Sequence, residues 1–149
     1  MNNILSFKAK IGWVSVIENN KKILSVSFGK LKNSGNSNIL KEFKKNLKEY
    51  FSGKRKNFKN KILFSGSKIQ IKIWKELKKI PYGKTKSYGQ IAKKLNTSPR
   101  FVGNVCGLNK HLIVVPCHRV IRSDGTLGGF SGLGGIKLKK RLLELENDE

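Results

Sequence analysis

Ser87-Tyr88-Gly89-Gln90-Ile91-Ala92-Lys93-Lys94-Leu95 is followed by Asn96-Thr97 and then by Ser98-Pro99-Arg100-Phe101-Val102-Gly103. The first run has the spacing of a short amphipathic helix. Asn96-Thr97 turns the chain, Ser98 can cap, and Pro99 suits a first helical position because its missing N–H would be unpaired there anyway. Arg100 to Leu108 therefore reads as a second short helix. Two short helices joined by a tight turn suggest a helix-turn-helix. Helix pairs of this spacing also occur in bundles that bind nothing, so the motif needs support from the rest of the chain.

Upstream, Ser67 and Gln70 make a capping-box pattern ahead of an apolar face of Ile69, Ile73, Trp74, Leu77 and Ile80, and Pro81-Tyr82-Gly83 ends that helix. Downstream, Leu112-Ile113-Val114-Val115 reads as a buried strand running into Pro116-Cys117-His118-Arg119-Val120-Ile121. Gly125 to Gly135 is a glycine-rich loop. Lys137 to Glu146 is a last helix with Leu138, Leu142 and Leu145 on one side.

The first third differs in character. Trp13–Ile17 and Ile23–Phe28 are β-rich runs flanking a turn-like Glu18–Lys22, hence a hairpin. Leu31 to Ser37 is a polar loop. Asn38 can cap a helix carrying Ile39, Leu40, Phe43, Leu47, Tyr50 and Phe51 that stops at Gly53. Lys54 to Lys61 is a basic connector, and Ile62-Leu63-Phe64 is a short strand or an apolar anchor. Both tryptophans, Trp13 and Trp74, are expected in cores. The expected fold is a small α/β N-terminal unit (an antiparallel sheet plus a helix, residues 1–65). A mainly α C-terminal domain with the helix-turn-helix follows (residues 66–149).

Composition bounds the function. The 149 residues carry 32 Lys and Arg against 9 Asp and Glu, a formal net charge of +23. Such a chain is drawn to polyanions, nucleic acid first among them, although a lysine excess can also reflect a biased genome. No apolar run approaches the ~20 residues that cross a bilayer, and the N-terminus lacks the pattern of a secretory signal. The expectation is a cytoplasmic protein without a membrane partner. Two cysteines, Cys106 and Cys117, are too few for a disulfide scaffold.

Cys117 has a histidine as its immediate neighbour. A thiol becomes a nucleophile when its thiolate is favoured and accessible, and a carboxylate on the far imidazole nitrogen would complete a relay. Acids are scarce, and Glu144 and Glu146 on the last helix are the candidates. A lone cysteine is more often an inert, buried small hydrophobe. Cys106, His111, Cys117 and His118 can be drawn as a zinc set, but their spacing matches no usual finger. His111 reads as a surface or partly packed histidine, and Cys106 as core filler.

Pro116-Cys117-His118-Arg119-Val120-Ile121 closely resembles the active-site signature of the O6-alkylguanine-DNA alkyltransferases. The surrounding pattern agrees: Leu47 to Arg55, Ile80 to Gly89, Thr97 to Gly103, Asn109, Gly128-Gly129-Phe130-Ser131-Gly132 and Leu142-Leu143-Glu144-Leu145-Glu146 fall in the order of that family. The resemblance implies that Cys117 takes the alkyl group from O6 of a damaged guanine, and from O4-alkylthymine as well, by in-line displacement. It implies His118 as base through a water, with Glu146 orienting it, since the family's last helix reads Leu-Leu-x-x-Glu. Asn109 would belong to a hinge beside the cysteine, and Tyr88 would crowd a phosphate and donate a proton to the leaving guanine. Arg100 would fill the stack when the base is flipped out, Gly103 would allow close approach to the sugar-phosphate surface, and Ser131 would hold the guanine.

Acting on a base inside a duplex requires extruding it, at a cost of a few kcal/mol. A thioether cannot be hydrolysed by anything visible in the chain, so each molecule would act once. No cofactor or metal is expected, and the partner would be double-stranded DNA carrying O6-alkylguanine, bound by a monomer. Three features depart from the family pattern. Phe130 stands where many relatives have tyrosine, Lys110-His111 replaces the usual continuation after Asn109, and the interval from Cys117 to the last helix leaves Glu144 as an alternative acid. The competing function is a non-catalytic lesion-recognition protein on the same scaffold. A cysteine hydrolase is more remote, because no oxyanion-hole loop is recognisable.

Overall fold

The computed structural model describes residues 1–130 and 134–147. The chain divides into two compact units, the first spanning Met1–Phe64 and the second starting at Ser65.

In the first unit β1 (Asn3–Ala9), β2 (Gly12–Asn19) and β3 (Lys22–Phe28) form an antiparallel meander in the order β1-β2-β3. The hairpin is present and turns on two residues, Asn20 and Lys21, both at positive φ (51° and 66°), the geometry that matches strand twist in a two-residue turn. Strand β1 was not among the sequence expectations; its alternation is blurred by the adjacent Ile4-Leu5 and by Ser6. Ser6 and Ser15 are buried polar positions facing each other, their hydroxyls 2.6 Å apart and bonded onward to the Leu31 N–H and the Gly29 carbonyl. Helix α1 (Asn38–Phe51) packs on β1 and β2 through Leu40, Phe43, Leu47 and Tyr50, all buried. Its cap is Ser37, whose hydroxyl accepts from Leu40 N, not Asn38 as expected; Asn38 is the first helical residue. Ile62 makes an isolated bridge to Ile23, and Trp13 is half-buried and not a core residue.

The second unit is mainly helical: α2 (Lys68–Leu77), α3 (Tyr88–Leu95), α4 (Pro99–Gly107) and α5 (Gly135–Asn147). Capping boxes at Ser67/Gln70 and Ser87/Gln90 start α2 and α3. Asn96 in the left-handed region (φ 59°) ends α3, and Ser98 caps α4 with Pro99 in its first turn. This is the expected helix-turn-helix. Trp74 of α2 is buried beneath it, and its indole N–H donates to the Val105 carbonyl at 3.1 Å. Two short strands, β4 (Lys86–Ser87) and β5 (Val120–Ile121), pair in parallel, with Lys86 opposite Val120 and Ser87 opposite Ile121. That pair fixes the start of α3 against the segment that carries Cys117.

The buried strand expected at Leu112–Val115 is a series of turns. All four side chains are buried, but Ile113 sits at φ 73° and Val115 N–H closes back on the His111 carbonyl at 2.8 Å. An apolar run of this length shows burial without showing backbone state. A β-branched residue in the left-handed region is strained, and here the strain sits four residues before the cysteine.

Candidate active site

Cys117 opens a single 3₁₀ turn, Cys117–Arg119, that leads directly into β5. Cys117 and His118 are therefore neighbours on a tight turn and not on an extended strand. Asn109 fixes the turn from outside. Its Nδ2 donates to the Val115 carbonyl (2.8 Å) and to Cys117 Sγ (3.3 Å), while its Oδ1 accepts from His111 N (2.9 Å). One amide thus holds both ends of the strained 111–115 segment and the sulfur. Burial pushes the Cys117 thiol up to about 11, partly offset by the Asn109 bond and by the nearby Lys139 charge. At pH 7 the resting group is the thiol.

His118 is fully buried, and its Nε2 lies 2.7 Å from Glu146 Oε2. Glu146, on α5, also receives a two-pronged contact from the Arg119 guanidinium, Nε to Oε1 at 2.7 Å and Nη2 to Oε2 at 2.9 Å. Arg119 Nη1 donates to the Ile80 carbonyl (2.8 Å), and its guanidinium lies 5.7 Å from the Tyr82 ring centroid. Despite burial, His118 and Arg119 hold the Glu146 carboxyl well below the usual carboxylate range. An ionised carboxylate only accepts, so Nε2 must carry the imidazole proton. Burial keeps His118 below its ordinary value, against the pull of Glu146. The ring is therefore neutral with a bare lone pair on Nδ1, an atom that is buried and has no hydrogen-bond partner among the described residues. A buried acceptor of this kind is chemically able to take up a proton.

Tyr88, the first residue of α3, sits beside these groups. Lys139 of α5 is fully buried and reaches it: Nζ donates to Tyr88 Oη at 3.3 Å and to the carbonyls of Val120 (2.7 Å), Leu127 and Gly129 (3.1 Å). No carboxylate is bonded to this ammonium among the described residues, and burial brings its pKa down to about 8. Because the lysine donates to the phenol oxygen, the phenolic hydrogen is left to point elsewhere. Burial raises that phenol to about 12. Gly128, at φ 72°, closes over the ring; a Cβ there would lie 3.1 Å from Tyr88 Oη. Tyr88, Cys117, Arg100 and Gly103 line one cavity of about 590 Å³, with Gly128 and Phe130 from the loop. Cys117 thus opens onto the same cleft as the start of α4.

Two family models match the chain: the 6-O-methylguanine DNA methyltransferase ribonuclease-like domain over residues 6–64, and the DNA binding domain of the same name over residues 68–148. The methylated-DNA–protein-cysteine methyltransferase of Saccharolobus solfataricus is 39% identical over 142 residues, covering 94% of this chain and 92% of its own. The crystal structure of Mycobacterium tuberculosis O6-methylguanine methyltransferase superposes with a TM-score of 0.88 at 31% identity, covering 99% of this chain and 93% of that one. The structure of Mycobacterium tuberculosis OGT in complex with DNA gives 0.85 at 31% identity, covering 96% and 92%.

The chain belongs to the O6-methylguanine DNA methyltransferase family.

Within this methyltransferase fold the structure brings Cys117, His118, Glu146, Asn109 and Tyr88 into one cluster. Of the two candidate acids, Glu146 is buried on His118, whereas Glu144 is exposed and lies 3.9 Å from Lys140. Arg100 is exposed at the start of α4 and Gly103 lies one turn further on. A Cβ on Gly103 would meet only the Tyr88 ring, at 3.9 Å, so the fold itself does not demand glycine there. Ser131 lies outside the described residues. His111 is buried, not a surface or partly packed residue, because the 111–115 turn folds inward. Cys106 is buried as expected but also lines the cavity, and burial drives its thiol far above the ordinary range.

Sequence reading missed Arg119 and Lys139. Arg119 lies inside the Pro116–Ile121 signature, where nothing in the sequence names its partner. Lys139 looked like one more solvated lysine, although Lys139, Leu142 and Glu146 recur at i, i+3 and i+7 and so share one helical face.

Proposed function

We propose that this chain repairs DNA by moving the alkyl group of O6-alkylguanine irreversibly onto Cys117, and that it does so once. The observation that carries this reading is the position of Cys117, which lines the cleft that also holds Tyr88 and the start of α4 while His118, Glu146 and Arg119 stand behind it. The target base swings out of the duplex into the cleft, and Arg100, on the exposed first turn of α4, takes its place in the stack. Gly103 lets the sugar-phosphate surface come close.

The thiol proton passes through a water to Nδ1 of His118. The imidazolium that forms is stabilised by a carboxylate that Arg119 has already oriented. The thiolate attacks the alkyl carbon, the S–C bond forms as the C–O6 bond breaks, and the leaving guanine takes a proton from Tyr88, whose phenolate the Lys139 ammonium supports. Sulfur ends as a thioether that nothing in the site can hydrolyse. The same cleft admits O4-alkylthymine. The chain acts on double-stranded DNA as a monomer, in the cytoplasm.

A lesion-binding protein without transfer would have no use for a thiol held by Asn109 beside a polarised histidine. The test uses a duplex carrying O6-methylguanine labelled on the methyl group. Label should move to the protein, and Cys117→Ser should abolish the transfer while retaining binding to the lesion duplex. Tight binding with the label left on the DNA would refute the proposal.

A further inference from the structure

The cleft around Cys117 is cationic on more than one side. Arg100 stands on α4, and Arg122 stands on a different element, the turn after β5. That turn is tightly closed: Arg122 N–H donates to the Thr126 carbonyl at 2.9 Å, and Gly125 N–H donates to the Arg122 carbonyl at 3.0 Å. The backbone of Arg122 is thereby fixed, yet its guanidinium makes no hydrogen bond or ion pair among the described residues. Asp124, the nearest acid in the sequence, accepts from the Thr126 N–H (2.9 Å) and hydroxyl (2.7 Å); it feels the Arg122 charge without a hydrogen bond or ion pair to it. No carboxylate lines the cleft among the described residues. The field of Arg122 nevertheless reaches inward: it favours the ionised form of Tyr88 and the neutral form of Lys139. A planar cation with an unused fork, five residues after the nucleophile and on the same cavity, is suited to a carboxylate.

We propose that Arg122 is a specificity-determining residue that favours O6 substituents ending in a carboxylate, carboxymethyl being the simplest, by pairing with that carboxylate while Cys117 attacks the adjoining CH2. This rests on the transferase reading above and extends it to the charge of the transferred group. The step balances as for methyl. The thiol proton goes to His118, the S–CH2 bond forms, the CH2–O6 bond breaks, and guanine leaves with a proton. The product is S-carboxymethylcysteine, whose carboxylate stays beside Arg122. A neutral methyl has nothing to pair with the guanidinium, so Arg122 acts on its transfer only through the charge felt by Tyr88 and Lys139, an effect common to both substituents.

The test is single-turnover transfer from two duplexes, one with O6-methylguanine and one with O6-carboxymethylguanine, using the wild-type chain, Arg122→Ser and Arg122→Lys. Removing a charge-assisted hydrogen bond in the cleft should slow carboxymethyl transfer about tenfold in Arg122→Ser. Methyl transfer should stay within about twofold, and Arg122→Lys should recover part of the loss. Equal slowing on both duplexes would make Arg122 a phosphate contact and overturn the inference; so would unchanged rates on both. If the wild-type chain transfers methyl, either of those results overturns only this inference. If it transfers neither group, the transferase reading falls first.

Discussion

Glu146 and His118, 28 residues apart in the chain, are joined by a 2.7 Å bond in a fully buried site, and the same carboxylate is gripped by Arg119, the next residue after the histidine. The relationship sets the protonation of the whole site. An arginine cannot give up its charge, so the carboxylate stays ionised, Nε2 keeps its proton, and Nδ1 is left as the basic atom. Two of the three members come from a single 3₁₀ turn and the third from α5, so the last helix must dock before the base exists.

Glu146→Gln keeps the shape and removes the charge. It leaves Arg119 buried without its partner, a change that typically costs about 3–5 kcal/mol. A urea melt should show a loss of that order. Single-turnover transfer should fall by about 10²-fold, the usual worth of a positioned base. Glu144→Gln should change neither, because that side chain is exposed.

The pH dependence follows from the directions of the shifts. His118 titrates below its ordinary 6.5, so it is a competent base at neutrality and is lost only on the acid side. With the thiol near 11, transfer through a proton-sharing pair should be flat around neutrality and fall only on the acid side of the ordinary imidazole value of 6.5, because His118 is held below it. A rate that climbs tenfold per unit across the plateau would mean direct attack by free thiolate, without His118. Stability has the same sign. Below about pH 6.5 the unfolded chain takes up the His118 proton before the folded one does. Glu146, depressed from 4.5, contributes fully above that value and loses its contribution as pH falls towards its folded one. A thermal melt series should therefore decline on acidification.

Lys139→Met fills the space but strips a hydrogen-bond donor from the carbonyls of Val120, Leu127 and Gly129 and removes the charge near Cys117 and Tyr88. The Leu127–Gly129 segment should loosen, visible as faster amide exchange there, and the thiol should titrate higher. Transfer should drop by about tenfold or more, in line with the loss of one preorganised charge. In the wild-type chain, losing the ammonium proton above about pH 8 should begin the same change.

Gly103→Ala and Arg100→Ala separate DNA delivery from chemistry. Neither position is required by the fold: the alanine methyl would meet the Tyr88 ring at an ordinary 3.9 Å, and Arg100 is exposed. Both variants should melt within about 0.5 kcal/mol of the parent. Both should be slower on duplex while reacting normally with the free O6-alkylguanine base, measured side by side. Equal losses on duplex and base would place these residues in the chemistry instead.

The helix-turn-helix was legible because every signal was local: Ser87 with Gln90, Asn96, Ser98 and Pro99 each act within one turn of their own position. The hairpin was legible for the same reason. The Leu112–Val115 segment was not, since its apolar run announces burial while its backbone is set by Asn109, whose amide closes the turn. Lys139 and Arg119 were hidden for a related reason. A buried cation is identified by its partners, and those partners, Glu146, the Ile80 carbonyl and the loop carbonyls, lie ten to thirty-nine residues away. Glu146 could be narrowed to two acids by scarcity and by family pattern, and only the packing of α5 chose between them.

Whether Cys117 is a single-use alkyl acceptor is read from the mass of the protein after incubation with excess O6-methylguanine duplex. The protein should gain one methyl group per chain, located on the peptide that contains Cys117, with Cys106 unmodified and the reaction ending at one equivalent. An unchanged mass, methyl on Cys106, or continued demethylation beyond one equivalent would contradict it.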